Sequence, residues 1–239
     1  MSAEASGIEF TVLIDPDQDP ELLQAVYERI MRPSFVPDEL PGPQSLAPGR
    51  GASVLIARDR QTQEPLGVAR LLTGGGDGVG LLEYLAADPA VRGRGIGGAL
   101  LDQCRVIWAE KGELVVLAEV HDPRVHEESA NEHPAARLRF YERNGALLLG
   151  LPWTQPALDA QTERVVGMLL LVMYADPSRV ASSLDRGTVL DWAQRYFAHE
   201  APRADGSLRQ NAAVLAALTG DRPLEIGPIA DLDRLVPLA

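Results

Sequence analysis

Residues 8–14, IEFTVLI, are dense in apolar and β-branched side chains and predict a first strand. Asp19-Pro20 then supplies an N-cap and a first-turn residue. Behind it, Leu22, Leu23, Val26, Tyr27 and Ile30 fall on one helical face. From Pro33 to Gly51 there are five prolines and few periodic apolar positions, which predicts a long loop with at most one short helix. Residues 52–57 and 66–72 read as strands joined by the polar turn Arg60-Gln61-Thr62-Gln63. The glycine-rich run 74–80 has a strand on each side and no helix behind it, so it reads as a hairpin turn.

The period changes within the next stretch. Residues 82–86 form a short apolar run closed by Asp88-Pro89, because proline cannot donate to a ladder. From Ile96 the spacing is helical, with Ile96, Leu100, Leu101, Cys104, Ile107 and Trp108 on one face. Between strand and helix stand Arg92, Gly93, Arg94, Gly95, Ile96, Gly97 and Gly98. Glycines ahead of a helix leave backbone N–H groups open, and the helix dipole adds partial positive charge. Such a loop suits an anion, above all a pyrophosphate.

Downstream, the apolar strand 114–120 is interrupted by Glu119. His121, His126 and His133 follow among carboxylates; their spacing matches no standard ligand set, so no metal is expected and the run reads as a solvated loop. A short helix over 136–143 carries Tyr141, and a strand over 146–151 leaves Trp153 and Gln155 in the loop behind it. A last buried strand covers 165–173. Val189, Trp192, Ala193, Tyr196 and Phe197 then follow helical spacing, as do Leu208, Ala212, Leu215 and Leu218, and both stripes must be buried.

The strand–loop–helix unit resembles motif A of the GNAT superfamily of acetyl-CoA-dependent N-acyltransferases. The signature (Arg/Gln)-x-x-Gly-x-(Gly/Ala) is met by Arg92, Gly95 and Gly97. The run Phe140-Tyr141-Glu142-Arg143-Asn144-Gly145-Ala146 is similar to the family's (Leu/Phe)-Tyr-x-x-x-Gly-(Phe/Ala) segment. The resemblance covers roughly residues 7 to 175. It implies an α/β (α+β) fold, with a mixed, mostly antiparallel twisted sheet flanked by helices. Residues 1–175 would form the acyltransferase domain. Residues 176–239 would be a helical C-terminal extension that packs on the core, covers the acceptor site or makes a homodimer contact. Two departures stand out: Pro134 where an asparagine is frequent, and Arg137 where alanine is. No cofactor role passes to Asn131.

The same glycines, Gly93, Gly95 and Gly98, also satisfy the dinucleotide pattern G-x-G-x-x-G, with Glu119 at a suitable distance. Against that reading, Asp88-Pro89-Ala90-Val91 separates strand from glycines, and the upstream strands read as a meander.

Composition narrows the partners. A net charge of −12 argues against nucleic acid and mildly favours a cationic acceptor. The N-terminus lacks the basic and apolar regions of a signal peptide, and the longest apolar run is too short to span a bilayer, so no membrane role is expected. Cys104 is the single cysteine, falls on the buried helix face, and fits a reducing cytoplasm.

The resemblance implies direct attack of a neutral amine, from a small molecule or a peptide, on the acetyl thioester. The backbone of Leu85, Ala86 and Ala87 would hold the pantetheine arm, and the amides of Arg92 to Gly98 the pyrophosphate. Tyr141 would serve the departing sulfur. Glu83 is the first choice of base, because a lone carboxylate in an apolar strand needs a task or a partner. Glu119 stands close behind, and for either residue the alternative is a structural ion pair with an arginine. Phe35 and Glu39 are weaker pocket candidates. A non-catalytic acyl-CoA-binding sensor is the alternative of another class.

Overall fold

The computed structural model describes residues 7–15, 17–35, 40, 42–49, 51–74, 78–129, 132–157, 163–198 and 207–238, the backbone alone at 207–211. Glu39, Asn131 and the middle of the run 74–80 lie outside them. The chain divides into two compact units: residues 1–73 with 80–112, and residues 74–79 with 113–239.

The first unit is an antiparallel meander: β1 (Ile8–Leu13), β2 (Ala52–Asp59), β3 (Pro65–Leu72) and β4 (Val79–Ala87). Helix α1 (Pro20–Val26) begins where expected: Asp19 accepts the Leu22 N–H at 3.0 Å, and Pro20 fills the first turn. It runs on into one wide turn over Tyr27–Met31. Leu22, Val26, Ile30 and Met31 pack on Val54, Ile56 and Val68, one face of the sheet. The opposite face receives α2 (Ile96–Glu110), whose six predicted apolar positions are all buried. Each such side chain contributes roughly 1.5–3 kcal/mol. Gly67 makes this seat possible: a Cβ there would meet Ile96 and Leu100 at 2.8 and 2.9 Å. A meander of this kind leaves no place for the alternating units of a dinucleotide fold. The proline-rich loop holds one short 3₁₀ turn, Pro43–Leu46. Phe35 packs edge-on against Tyr84.

In the second unit the strand order is β5-β7-β6-β9-β8, and every pair within it is antiparallel. The strands are β5 (Val115–His121), β6 (Leu147–Gln155), β7 (Val165–Ala175), β8 (Ser183–Leu184) and β9 (Leu224–Gly227). Helix α3 (Pro134–Arg143) connects β5 to β6. The C-terminal segment supplies α4 (Arg186–Ala198), α5 (Ser207–Ala217) and α6 (Leu232–Leu235), but also β8 and β9, with β9 bonded to β6. The stripe read on α4 is buried at Val189, Trp192, Ala193 and Phe197, whereas Tyr196 is half-exposed. On α5 the expected stripe holds at Leu218, buried, and Leu215, half-buried, whereas Ala212 is exposed and Val214 is buried in its place; the side chain of Leu208 lies outside the described residues.

Two sequence expectations change here. Strand β6 does not stop at Leu151; it passes through Pro152 by a register shift and carries Trp153 and Gln155 into the sheet. Pro152 is tolerated because it faces outward at that irregularity. His121 is no loop residue but the buried last residue of β5. Among the described residues, no helix is long and apolar enough to cross a membrane.

Candidate active site

In the first unit, Asp88 caps a 3₁₀ turn at Pro89–Val91 by accepting the Ala90 N–H at 2.8 Å. The chain then reverses through Gly93 and Gly95, with φ of +81° and +82°, values that a side chain resists. Gly95 is the N-cap of α2, and no side chain caps it. The first-turn amides of α2 therefore remain donors for something outside the helix. A Cβ built at Gly93 or Gly95 meets nothing within 4 Å, so the space above the loop is open. Arg92 and Arg94 flank it on the surface, with Arg92 donating to the Ser34 hydroxyl at 3.0 Å. These are the features a pyrophosphate requires, and residues 92–98 fit one.

Strand β4 approaches this loop with Glu83, Leu85 and Ala87 half-buried, and Tyr84 and Ala86 buried. Arg70 pairs with Tyr84 and Leu71 with Leu82, so Glu83 is the extra residue of a β-bulge. The bulge turns its carboxylate onto Arg70, and the two form an ion pair. Arg70 also donates to the Ala47 carbonyl at 3.1 Å. Burial lowers the Arg70 pKa, but a guanidinium stays charged, so removing Glu83 would leave a largely buried charge without its ion-pair partner. Glu83→Gln should therefore lower unfolding stability by about 1–3 kcal/mol at every pH where the carboxylate is ionised. Denaturant midpoints across the neutral range measure this. An unchanged midpoint would show that Arg70 does not need Glu83.

In the second unit Glu119 has a different environment. Its Oε1 accepts the indole N–H of Trp153. Its Oε2 accepts the Tyr196 hydroxyl at 2.7 Å and the Gln155 amide at 3.2 Å. All three donors are neutral, and among the described residues no arginine or lysine forms an ion pair with Glu119. Burial pushes its pKa up, and the three hydrogen bonds pull it back only in part. The rings of Trp153, Trp192, Tyr196 and Phe197 stack alongside, with centroids 5.1–6.3 Å from that of Trp153.

Tyr141 lies on α3, buried, with Phe140 edge-on at 5.3 Å. Helix α3 begins at Pro134 behind His133, so the departure at Pro134 serves as a helix start. The histidines hold the segment ahead of it. His121 Nδ1 lies against Glu132, and burial pushes its imidazole down to about 4. His126 bonds the Val166 carbonyl at 2.8 Å, and His133 bonds Glu128 at 2.7 Å.

Residues 50–145 match the family described as the acetyltransferase (GNAT) domain. Over these residues the chain is similar to GNAT acetyltransferase domains. One solved structure shows the same fold. A protein of Bacteroides thetaiotaomicron, described as a GNAT-family acetyltransferase, superposes with a TM-score of 0.58 at 20% identity, over 79% of this chain and 95% of that one. Nourseothricin acetyltransferase matches at 21% identity with a TM-score of 0.39, over 52% of this chain, and the chain spans only 65% of its length. A Bacillus anthracis protein described as a streptothricin acetyltransferase, solved with acetyl coenzyme A, matches at 16% identity and a TM-score of 0.39, over 56% and 68% of the two chains. No curated protein matches the sequence. The GNAT match includes the Arg92–Gly98 loop, Glu83, Glu119 and Tyr141, whereas Trp153, Gln155 and Tyr196 lie beyond it. No motif in the sequence assigns these three a role. The one available signal was Trp192, Tyr196 and Phe197 together on a single helical stripe.

Proposed function

We propose that this GNAT domain moves an acetyl group from acetyl-CoA to a primary amine by direct attack, with Glu119 as the general base. The observation that carries the reading is the contrast between the two carboxylates. Glu83 is committed to Arg70, whereas Glu119 is held by neutral donors with no counter-ion among the described residues. A carboxylate in that state gains most from an arriving ammonium, and its raised pKa makes it a stronger base than an ordinary carboxylate. This reverses the order in which the sequence ranked the two.

The amides of residues 92–98 would hold the pyrophosphate, and the backbone of Leu85 to Ala87 the pantetheine arm. Acetyl-CoA, when bound, supplies the electrophilic thioester. Glu119 takes a proton from the ammonium, the freed nitrogen bonds to the carbonyl carbon, and the carbon–sulfur bond breaks. Tyr141 would give its hydroxyl proton to the departing sulfur. The second proton that the nitrogen sheds as the amide forms would restore the Tyr141 hydroxyl, and Glu119 would return its own proton to solvent. The acceptor is a small-molecule amine or a peptide, and the setting is the cytoplasm.

Thermal unfolding with acetyl-CoA and with NAD, followed by CoA-thiol release across a panel of primary amines, tests the reading. Stabilisation by acetyl-CoA alone and release with at least one amine are expected. Stabilisation by NAD alone would refute it, and binding without release would leave a sensor. Tyr141→Phe keeps the ring and removes the donor, so kcat should fall about 10²-fold with acetyl-CoA affinity unchanged. An unchanged kcat would make Tyr141 a packing residue.

A further inference from the structure

A carboxylate offers about four lone-pair positions, two on each oxygen. On Glu119 the Gln155 amide and the Tyr196 hydroxyl fill both positions of Oε2, and Trp153 fills one on Oε1. Among the described residues nothing fills the remaining position, on Oε1. The donor that completes this pattern comes from α4, outside the segment that matches the GNAT domain. Tyr196 is not free to swing away. Its ring lies 5.3 Å from that of Trp192 at an interplanar angle of 9°, and 6.3 Å from that of Trp153 at 21°. Trp192 and Phe197 anchor the stack by being buried, while Tyr196 stays half-exposed.

We propose that α4 is a working part of the acceptor site, with Tyr196 the positioning residue that aims the open lone pair of Glu119 at the incoming amine. This rests on Glu119 being the base. Two effects follow from the one hydroxyl. By occupying Oε2 it confines the amine proton to Oε1. By donating to the ionised form it keeps Glu119 from becoming too weak an acid to release that proton again. The groups facing Glu119 make Tyr196 the controllable one. From β6 come Trp153 and Gln155, which do not titrate, and Leu170 of β7 is its register partner. His121 follows two residues along β5, where Arg137 of α3 and His126 act on it. The aromatic stack also gives the site a flat apolar flank, which suits an amine carried on an apolar body.

The protonation of Glu119 can be read without knowing the acceptor, because the Trp153 indole N–H donates to it. The ¹H–¹⁵N indole resonance of Trp153, assigned with Trp153→Phe, would be followed against pH in the wild type, Tyr196→Phe and Glu119→Gln. Tyr196→Phe keeps every ring in the stack. The wild type should show one step above the ordinary carboxylate range, and Glu119→Gln no step. Tyr196→Phe should move the step up by about one pH unit, the loss expected for a hydrogen bond to a charged group. The acid limb of kcat/KM should move with it, for the amine that gives the fastest release in the panel. An identical midpoint in Tyr196→Phe, with Glu119→Gln still inactive, would overturn the role of Tyr196 and leave the base standing. A step that persists in Glu119→Gln, together with full activity, would remove the base itself.

Discussion

Glu119→Gln should lower kcat/KM by about 10²–10⁴-fold at neutral pH, while acetyl-CoA still stabilises the protein to the wild-type extent. The acceptor arrives mostly as an ammonium, and only its deprotonated form attacks. With Glu119 as the base, the carboxylate would take that proton, and activity should be lost as pH falls through the raised Glu119 pKa. Glutamine cannot accept it. The variant must instead rely on amine already neutral in solution, a fraction that grows as pH rises. The defect is therefore largest at low pH and shrinks towards high pH. A uniform loss at all pH values would point to positioning alone. Full activity at neutral pH would exclude Glu119 and return the base role to Glu83, His121 or water.

The second large effect concerns the glycine loop. Acetyl-CoA at about 100 times its Kd should stabilise the protein by roughly 2.7 kcal/mol, a rise in Tm of about 5–10 °C. Gly97→Val should abolish that rise. Gly97 lies in the first turn of α2 with no positive φ, so the substitution places a branched side chain above the loop without straining the backbone. Gly95→Val should abolish it too, but it forces valine to φ near +82°, a strain of about 1–3 kcal/mol that lowers the starting Tm as well. The pair separates loss of the site from loss of the fold. A full acetyl-CoA shift in Gly97→Val would mean that the ligand does not approach the amides of residues 92–98.

The glycine loop and α2 were readable in the sequence because their causes are local. Glycine tolerates positive φ wherever it stands, Asp19 and Asp88 cap the turn beside them, and a stripe at helical spacing must find a core. Glu83 and Glu119 were likewise visible as carboxylates set among apolar neighbours, and Tyr141 through the GNAT-like segment 140–146. Which carboxylate is neutralised was not visible. Arg70 reaches Glu83 through a bulge that no local pattern announces, and strand β6 crosses Pro152 by a register shift that brings Trp153 and Gln155 to Glu119. Tyr196 lies 77 residues from Glu119. A helical stripe specifies that a face is buried, but not which side chain of a distant strand it will meet. The sequence by itself determined the glycine loop ahead of α2 and the carboxylates set in apolar strands, since each depends on neighbours within a few residues. Only the tertiary structure decided which carboxylate keeps its charge uncompensated, because ion pairs and hydrogen bonds to a buried group depend on strand register and helix docking across the whole unit.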